Sequence, residues 1–172
     1  RYMNSVSNYK QIKQGLPQGS VLSPTLFNLF IDDVICEIEK VPGMNALLYA
    51  DDLVIRATSS DVTALEASLN SSLTVIKSWA EANEMVINPT KSEYQLFTLL
   101  TKNHNVLLQF DDHELNRTEE ATYLGVRLDT RLNWTKQTEK QSEQALSRLS
   151  LLKRLKGTKW GASQDILTLA YK

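Results

Sequence analysis

The sequence predicts an α+β fold, a body of helices and short strands over residues 1–129 followed by an all-helical segment over 130–172. Three observations carry this reading. Apolar residues recur at helical spacing in separate stretches, and short apolar runs bounded by turn residues lie between them. The charge also changes sign along the chain. Residues 1–129 hold 10 basic and 17 acidic side chains, net −7, whereas 130–172 hold 9 and 3, net +6. The whole-chain value of −1 conceals this division.

With 42% hydrophobic and 23% charged residues in 172, the composition is globular, which excludes collagen-like, disordered and disulfide-rich classes. No apolar run approaches the ~20 residues of a membrane span, so no membrane partner is expected. The opening RYMNSVSNYK lacks the pattern of a signal peptide. Cys36 is the single cysteine and cannot form an internal disulfide, which points to a reducing, intracellular setting.

Taken in order, Ser23-Pro24 can open a helix, with Ser23 as cap and proline in the first turn. Phe27, Phe30, Ile31, Val34, Ile35 and Ile38 then place that helix at 24–39. Pro42-Gly43 is a turn, and the runs Ala46–Ala50 and Leu53–Ile55 form a hairpin around Asp51-Asp52. Asp61 opens an amphipathic helix carried by Val62, Leu65, Leu69, Leu73, Ile76 and Ala80, ending near Asn83. Strands are expected at 93–99, 105–110 and 122–128, with Asp111-Asp112-His113 as a turn. A long helix from Trp134 to Leu155 stops at Gly157, and a further helix begins after Ser163.

Asp51-Asp52 is the most informative dipeptide, because it interrupts the most apolar stretch, LLYADDLVI. An unpaired carboxylate is costly to bury, and no Arg or Lys lies within three residues. Hard divalent cations are the natural partners, since Mg²⁺ takes carboxylate oxygens and keeps positions open for water and phosphate. A solvated Asp-Asp turn is the plainer alternative. The second pair, Asp32-Asp33, falls near a helix end among Glu37 and Glu39 and reads as a solvated face.

Before the first helix, Gly15-Leu16-Pro17-Gln18-Gly19-Ser20 forms a glycine-flanked loop. A loop feeding a helix N-terminus offers N–H groups to an anion such as a triphosphate, and the Gln18 amide suits a sugar hydroxyl or base edge. Such residues are also routine punctuation before a helix.

Together, GLPQGSVLSPTLFNLFIDDV and YADDLVI, followed by NPTKSE and YLGVRLD, resemble reverse transcriptases, most closely those of jockey-like non-LTR retrotransposons. In that family these blocks are palm motifs B, C, D and E, and here they occur in that order between residues 15 and 129. The resemblance implies a partial polymerase palm over 1–129, an antiparallel sheet with packed helices, and a partial helical thumb over 130–172. It implies two catalytic Mg²⁺ ions, with Asp51 as a ligand and Asp52 as its neighbour at the metal site. Tyr49 and Ala50 would flank the primer terminus, and the Gly15, Pro17, Gln18, Gly19 and Ser20 loop would meet the nucleotide. Lys91 matches the lysine proposed to protonate the pyrophosphate, with a solvated loop lysine as the alternative. Tyr123, Leu124 and Gly125 resemble the primer-grip hairpin, or an ordinary strand with a packing tyrosine.

The partners implied are an RNA template, a DNA primer and deoxynucleoside triphosphates, and the expected location is the nucleus. Lys136, Lys140, Arg148, Lys153, Arg154, Lys156 and Lys159 would contact the nucleic-acid backbone, or simply form a solvated basic face. Trp79, Trp134 and Trp160 read as core anchors, and His104 and His113 form no zinc cluster. In the family the third metal ligand lies in motif A, upstream of motif B with the fingers, and Arg1–Gln14 contain no acid. The chain is thus expected to be a fragment that is inactive alone. Two alternatives are a non-catalytic nucleic-acid-binding remnant, and a related intron-encoded or telomeric reverse transcriptase. An RNA-dependent RNA polymerase usually has Gly before the Asp pair, so YADD argues against it.

Overall fold

A computed structural model describes residues 15–101, 104–156 and 161–171. They divide into two units, the first running to Pro89 and taking in His104–Glu114, the second taking in the residues from Thr90 and from Leu115 onward. The fold is α+β with four two-stranded sheets, three antiparallel and one parallel.

The first unit begins with α1, Ser23–Glu39, which buries Ile31, Val34 and Ile38 at the predicted spacing. Its start differs from expectation. Ser23 is already helical and does not cap; its hydroxyl donates to the Pro17 carbonyl at 2.8 Å, tying the helix back to the preceding loop. Strands β1, Met44–Tyr49, and β2, Asp52–Ala57, form an antiparallel hairpin on which α1 packs. Met44 is buried and Ala46 and Leu48 half-buried, while Asn45, Leu47 and Tyr49 are exposed, the period-2 alternation of a strand with one covered face.

Helix α2, Val62–Ala82, is capped by Asp61, whose carboxylate accepts from the Thr63 N–H at 2.9 Å. Its end falls at Asn83 as expected, and the structure closes it by a Schellman arrangement: Met85 N–H donates to Ala80 O and Glu84 N–H to Glu81 O, with Glu84 at φ 54°. Leu65, Leu73, Ile76 and Ala80 are buried against α1 and the hairpin, with Ser72 fully enclosed and bonded to Ser68 O. The Phe30 and Trp79 rings meet at 5.7 Å.

Residues 104–114 complete this unit. A strand was expected over 105–110, but only Gln109–Phe110, β4, pairs with a strand, His113–Glu114, β5, across the turn Asp111-Asp112. Val106, Leu108 and Phe110 nevertheless alternate inward as a strand would. Among the described residues no strand pairs with the run before β4, and α2 side chains bond to its backbone. Glu66 accepts from the Leu107 N–H at 2.9 Å, and Asn70 donates to Leu107 O at 2.9 Å and accepts from the Gln109 N–H at 3.0 Å. Lys77 pairs with Asp111 on the same stripe.

In the second unit the strand expected at 93–99 reduces to β3, Glu93–Tyr94, which pairs in parallel with β6, Asn116–Arg117. Beyond it scattered bonds rather than a continuous ladder make the links: the Gln95 side chain donates to Glu119 O at 2.8 Å and Leu128 O at 3.1 Å, and the Thr98 N–H donates to Thr130 O at 3.2 Å. The strand expected at 122–128 is instead a hairpin, β7, Glu120–Tyr123, and β8, Val126–Asp129. Helix α3, Thr135–Lys156, packs on β8, and α4, Gln164–Tyr171, on α3. The predicted stop at Gly157, and Trp160, lie outside the described residues. Among the described residues no helix is long and apolar enough to cross a membrane.

Candidate functional site

Tyr49 faces Asp52 across the β1–β2 ladder, so the connecting turn holds two residues, Ala50 and Asp51. A two-residue hairpin turn needs positive φ at its first position, and Ala50 has φ 54°. Here the structure corrects the expectation that the carboxylates are enclosed by their apolar neighbours. Asp51 projects at the tip and Asp52 opens β2 on the side of Tyr49; all three are exposed, Tyr49 by 63%. The apolar residues of LLYADDLVI belong to the strands, and the turn lifts the acids clear of them. Neither carboxylate makes a hydrogen bond or ion pair among the described residues.

Two adjacent, unpartnered, exposed carboxylates fit part of the oxygen set of a hard divalent cation, which retains waters for the remaining positions. Among the described residues no third His, Cys, Asp or Glu joins them in a cluster able to hold a metal.

The Gly15–Ser20 loop lies in the same unit and is exposed throughout. Pro17 to Ser20 form a turn closed by Ser20 N–H on Pro17 O at 3.2 Å, with Gly19 at φ 89° in its third position. That φ is the type II requirement for glycine. Gln18 therefore stands at the outer corner of the turn with its amide exposed. Among the described residues a Cβ at Gly15 or Gly19 would meet no atom within 4 Å.

The second unit holds the other candidates. Lys91 is exposed at the end of a single 3₁₀ turn, Pro89–Lys91. Tyr123 pairs with Val126, leaving Leu124-Gly125 as a two-residue turn with φ 47° and 84°, the I′ pattern. This hairpin is anchored on α3: Gln137 accepts from the Arg127 N–H at 2.9 Å, and Lys140 donates to Gly125 O at 3.3 Å. Glu120 lies 3.8 Å from both Arg127 and Lys136. Two of the seven expected backbone-binding cations, Lys136 and Lys140, are thus engaged within the unit. Arg148, Lys153, Arg154 and Lys156 are exposed on α3, and Lys159 lies outside the described residues. The anchors Glu120 and Gln137 escaped the sequence reading, because an acid in a strand and an amide in a helix carry no signal of being partners. Trp134 is a further correction: it is 48% exposed and no core anchor.

The chain's relatives bear on what these residues do. Residues 1–128 match the family model described as reverse transcriptase (RNA-dependent DNA polymerase). A probable RNA-directed DNA polymerase from transposon BS of Drosophila melanogaster is 31% identical over 166 residues, covering 92% of this chain and 18% of that protein. The RNA-directed DNA polymerase from mobile element jockey of the same species is 29% identical, covering 76% of this chain and 14% of that protein. The jockey polymerase of Drosophila funebris is 30% identical over 74% of this chain and 14% of its own length. The chain thus spans less than a fifth of the length of these relatives. No solved structure matches it. The exposed YADD turn, the glycine loop before α1 and the match over residues 1–128 agree, and the chain belongs to the reverse transcriptase family, of the kind carried by non-LTR elements such as jockey.

Proposed function

We propose that the chain forms part of the palm, residues 1–129, and part of the thumb, residues 130–172, of an RNA-directed DNA polymerase that extends a primer 3′ end with deoxynucleotides on an RNA template, in the nucleus. The observation that carries this is the exposed Asp51-Asp52 pair on a two-residue turn, without a hydrogen-bond or ion-pair partner among the described residues. Asp51 and Asp52 would hold Mg²⁺, which when bound supplies charge neutralisation at the reacting phosphate and a more acidic primer hydroxyl.

The remaining work is positioning. The primer 3′ oxygen forms a bond to the α-phosphorus, the α–β bridging P–O bond breaks, and pyrophosphate departs. The 3′ hydroxyl proton goes to solvent, and the Lys91 ammonium offers a proton to the departing pyrophosphate. Gln18, Gly19 and Ser20, with Gly15 and Pro17 shaping their turn, bind the incoming nucleotide. Tyr49 and Ala50 flank the primer terminus, and Tyr123, Leu124 and Gly125 orient the primer strand. Arg148, Lys153, Arg154 and Lys156, with Lys136, Lys140 and Lys159, take the phosphate backbone.

The test is primer extension on an RNA template with Mg²⁺ and deoxynucleotides, by a polypeptide of the relatives' length that carries this segment. Asp51→Ala is expected to lower extension by about a thousandfold or more, the several kcal/mol a metal supplies. Extension at the unsubstituted rate would sink the assignment.

A further inference from the structure

The connection between β8 and α3 holds two apolar side chains out of any core. Leu132 and Trp134 are 44% and 48% exposed, and both have left-handed backbone, φ 52° and 63°. For residues other than glycine that conformation costs about 1–2 kcal/mol each. It persists because the segment is tied from several sides. The Asp129 carboxylate accepts from the Arg131 N–H at 2.9 Å and the Asn133 N–H at 3.2 Å, and the Leu132 N–H donates to Asp129 O at 3.0 Å. Asn133 accepts from the Thr135 N–H at 3.1 Å, and the Trp134 carbonyl accepts from both the N–H and the hydroxyl of Thr138. Strain held in this way gathers where a side chain must be presented to a ligand.

The surrounding charge says what kind of ligand. Asp129 is occupied by backbone N–H groups and Glu120 by the two cations Arg127 and Lys136, while the exposed Glu139 and Glu143 of the first turns of α3 are matched in number by Lys136 and Lys140. Arg131, between the two strained residues and β8, is exposed, and the segment from residue 130 onward is net +6. An exposed indole three residues from an exposed guanidinium, just before a helix whose second half carries Arg148, Lys153, Arg154 and Lys156, is a combination that suits single-stranded nucleic acid: bases stack on the ring, and the cations take the phosphates. We propose that Trp134, braced by the Asp129 knot and flanked by Leu132 and Arg131, is a stacking platform for an unpaired base of a single-stranded nucleic acid. This rests on the reading of residues 130–172 as a nucleic-acid-holding segment, and adds to it a contact that depends on a base face rather than on phosphate charge.

The two are separated by titrating the 172-residue chain against a short labelled single-stranded oligonucleotide at several salt concentrations. Trp134→Ala is expected to weaken binding about 5- to 100-fold, with an unchanged slope of log affinity against log salt, because stacking releases no counterions. Trp134→Phe should retain most of the affinity, while Trp134→Leu, which keeps apolar bulk without a π face, should lose it. Replacing Lys153 and Arg154 by Gln should flatten the salt slope instead. Circular dichroism and thermal melting establish that each variant is folded; should the alanine variant not fold, the leucine and phenylalanine pair decides. Unchanged affinity for Trp134→Leu in a chain that binds would overturn the platform, assign the exposed indole to a protein neighbour, and leave the basic segment's role standing. Equal dependence on Trp134 for a blunt duplex would overturn the single-strand preference. A wild-type chain that binds no oligonucleotide at low salt would overturn both readings.

Discussion

Tyr49 and Asp52 are directly paired across the β1–β2 hairpin, and this register puts Ala50 at φ 54° in the turn between them. An L-residue there carries about 1 kcal/mol or more of backbone strain that glycine would not. Ala50→Gly is therefore expected to raise stability by about 1 kcal/mol in urea denaturation, and Ala50→Val to lower it. A destabilised glycine variant would contradict the left-handed turn.

The Leu124-Gly125 turn offers the complementary experiment. Nothing lies within 4 Å of a Cβ built on Gly125, so Gly125→Ala costs only the backbone term at φ 84°, about 1–2 kcal/mol. Leu124→Asn should act in the opposite sense, since Asn-Gly is the preferred I′ pair. Urea midpoints for the two variants that shift in the same direction would refute the turn type.

Asn70 holds the 104–110 run through two hydrogen bonds, one to Leu107 O and one from the Gln109 N–H. Asn70→Ala is expected to cost about 1–3 kcal/mol. Amide hydrogen exchange should quicken most at Gln109, and at Leu107 only when Glu66, its acceptor, is removed as well. Uniform acceleration across α2 would instead indicate general unfolding.

The Lys77–Asp111 pair gives stability a defined pH dependence. Its hydrogen bond, and then its charge, hold the Asp111 carboxyl below the ordinary 3.8 and the Lys77 ammonium above 10.5. The Asp111 contribution is present above its unfolded value and is lost as pH falls through the lower folded one. That of Lys77 is present below its unfolded value and is lost as pH rises through the higher folded one. Lys77→Met should return the Asp111 midpoint, followed by NMR, toward 3.8 and flatten the acid limb of the stability curve. An Asp111 midpoint indifferent to this substitution would show that the pair does not persist in solution.

Helices α1 and α2 and the YADD hairpin were legible because each is written in a period, 3.6 or 2, that burial in the structure then follows. Apolar character alone reads Leu124-Gly125 as strand interior, because Tyr123 through Leu128 is nearly continuous in it and hydrophobicity does not register φ, whereas the resemblance to the primer-grip hairpin implies a turn. The same holds for Ala50 and Trp134: neither residue type advertises left-handed backbone, and an aromatic side chain defaults to the core when only its transfer free energy is weighed. The Asp pair was found by context, yet its exposure came from the register, which places the turn one residue earlier than the acids themselves suggest. The strands at 93–99 and 105–110 were over-extended because side chains of Gln95, Glu66 and Asn70 replace ladders, and such replacements leave no trace in a strand's own sequence.

Glu66 and Asn70 stand one step of four residues apart on α2, which spans about 6 Å along a helix. Leu107 and Gln109, the residues they hold, are two apart in an extended run, about 6.6–6.8 Å. The near-equality of these two lengths makes the helix a ruler for the strand. A slip of one residue would carry the Leu107 and Gln109 amides off their marks and turn Val106, Leu108 and Phe110 to water together. An insertion within 105–110 should therefore leave the Leu107 and Gln109 amides on their α2 partners, which their hydrogen-exchange rates would report.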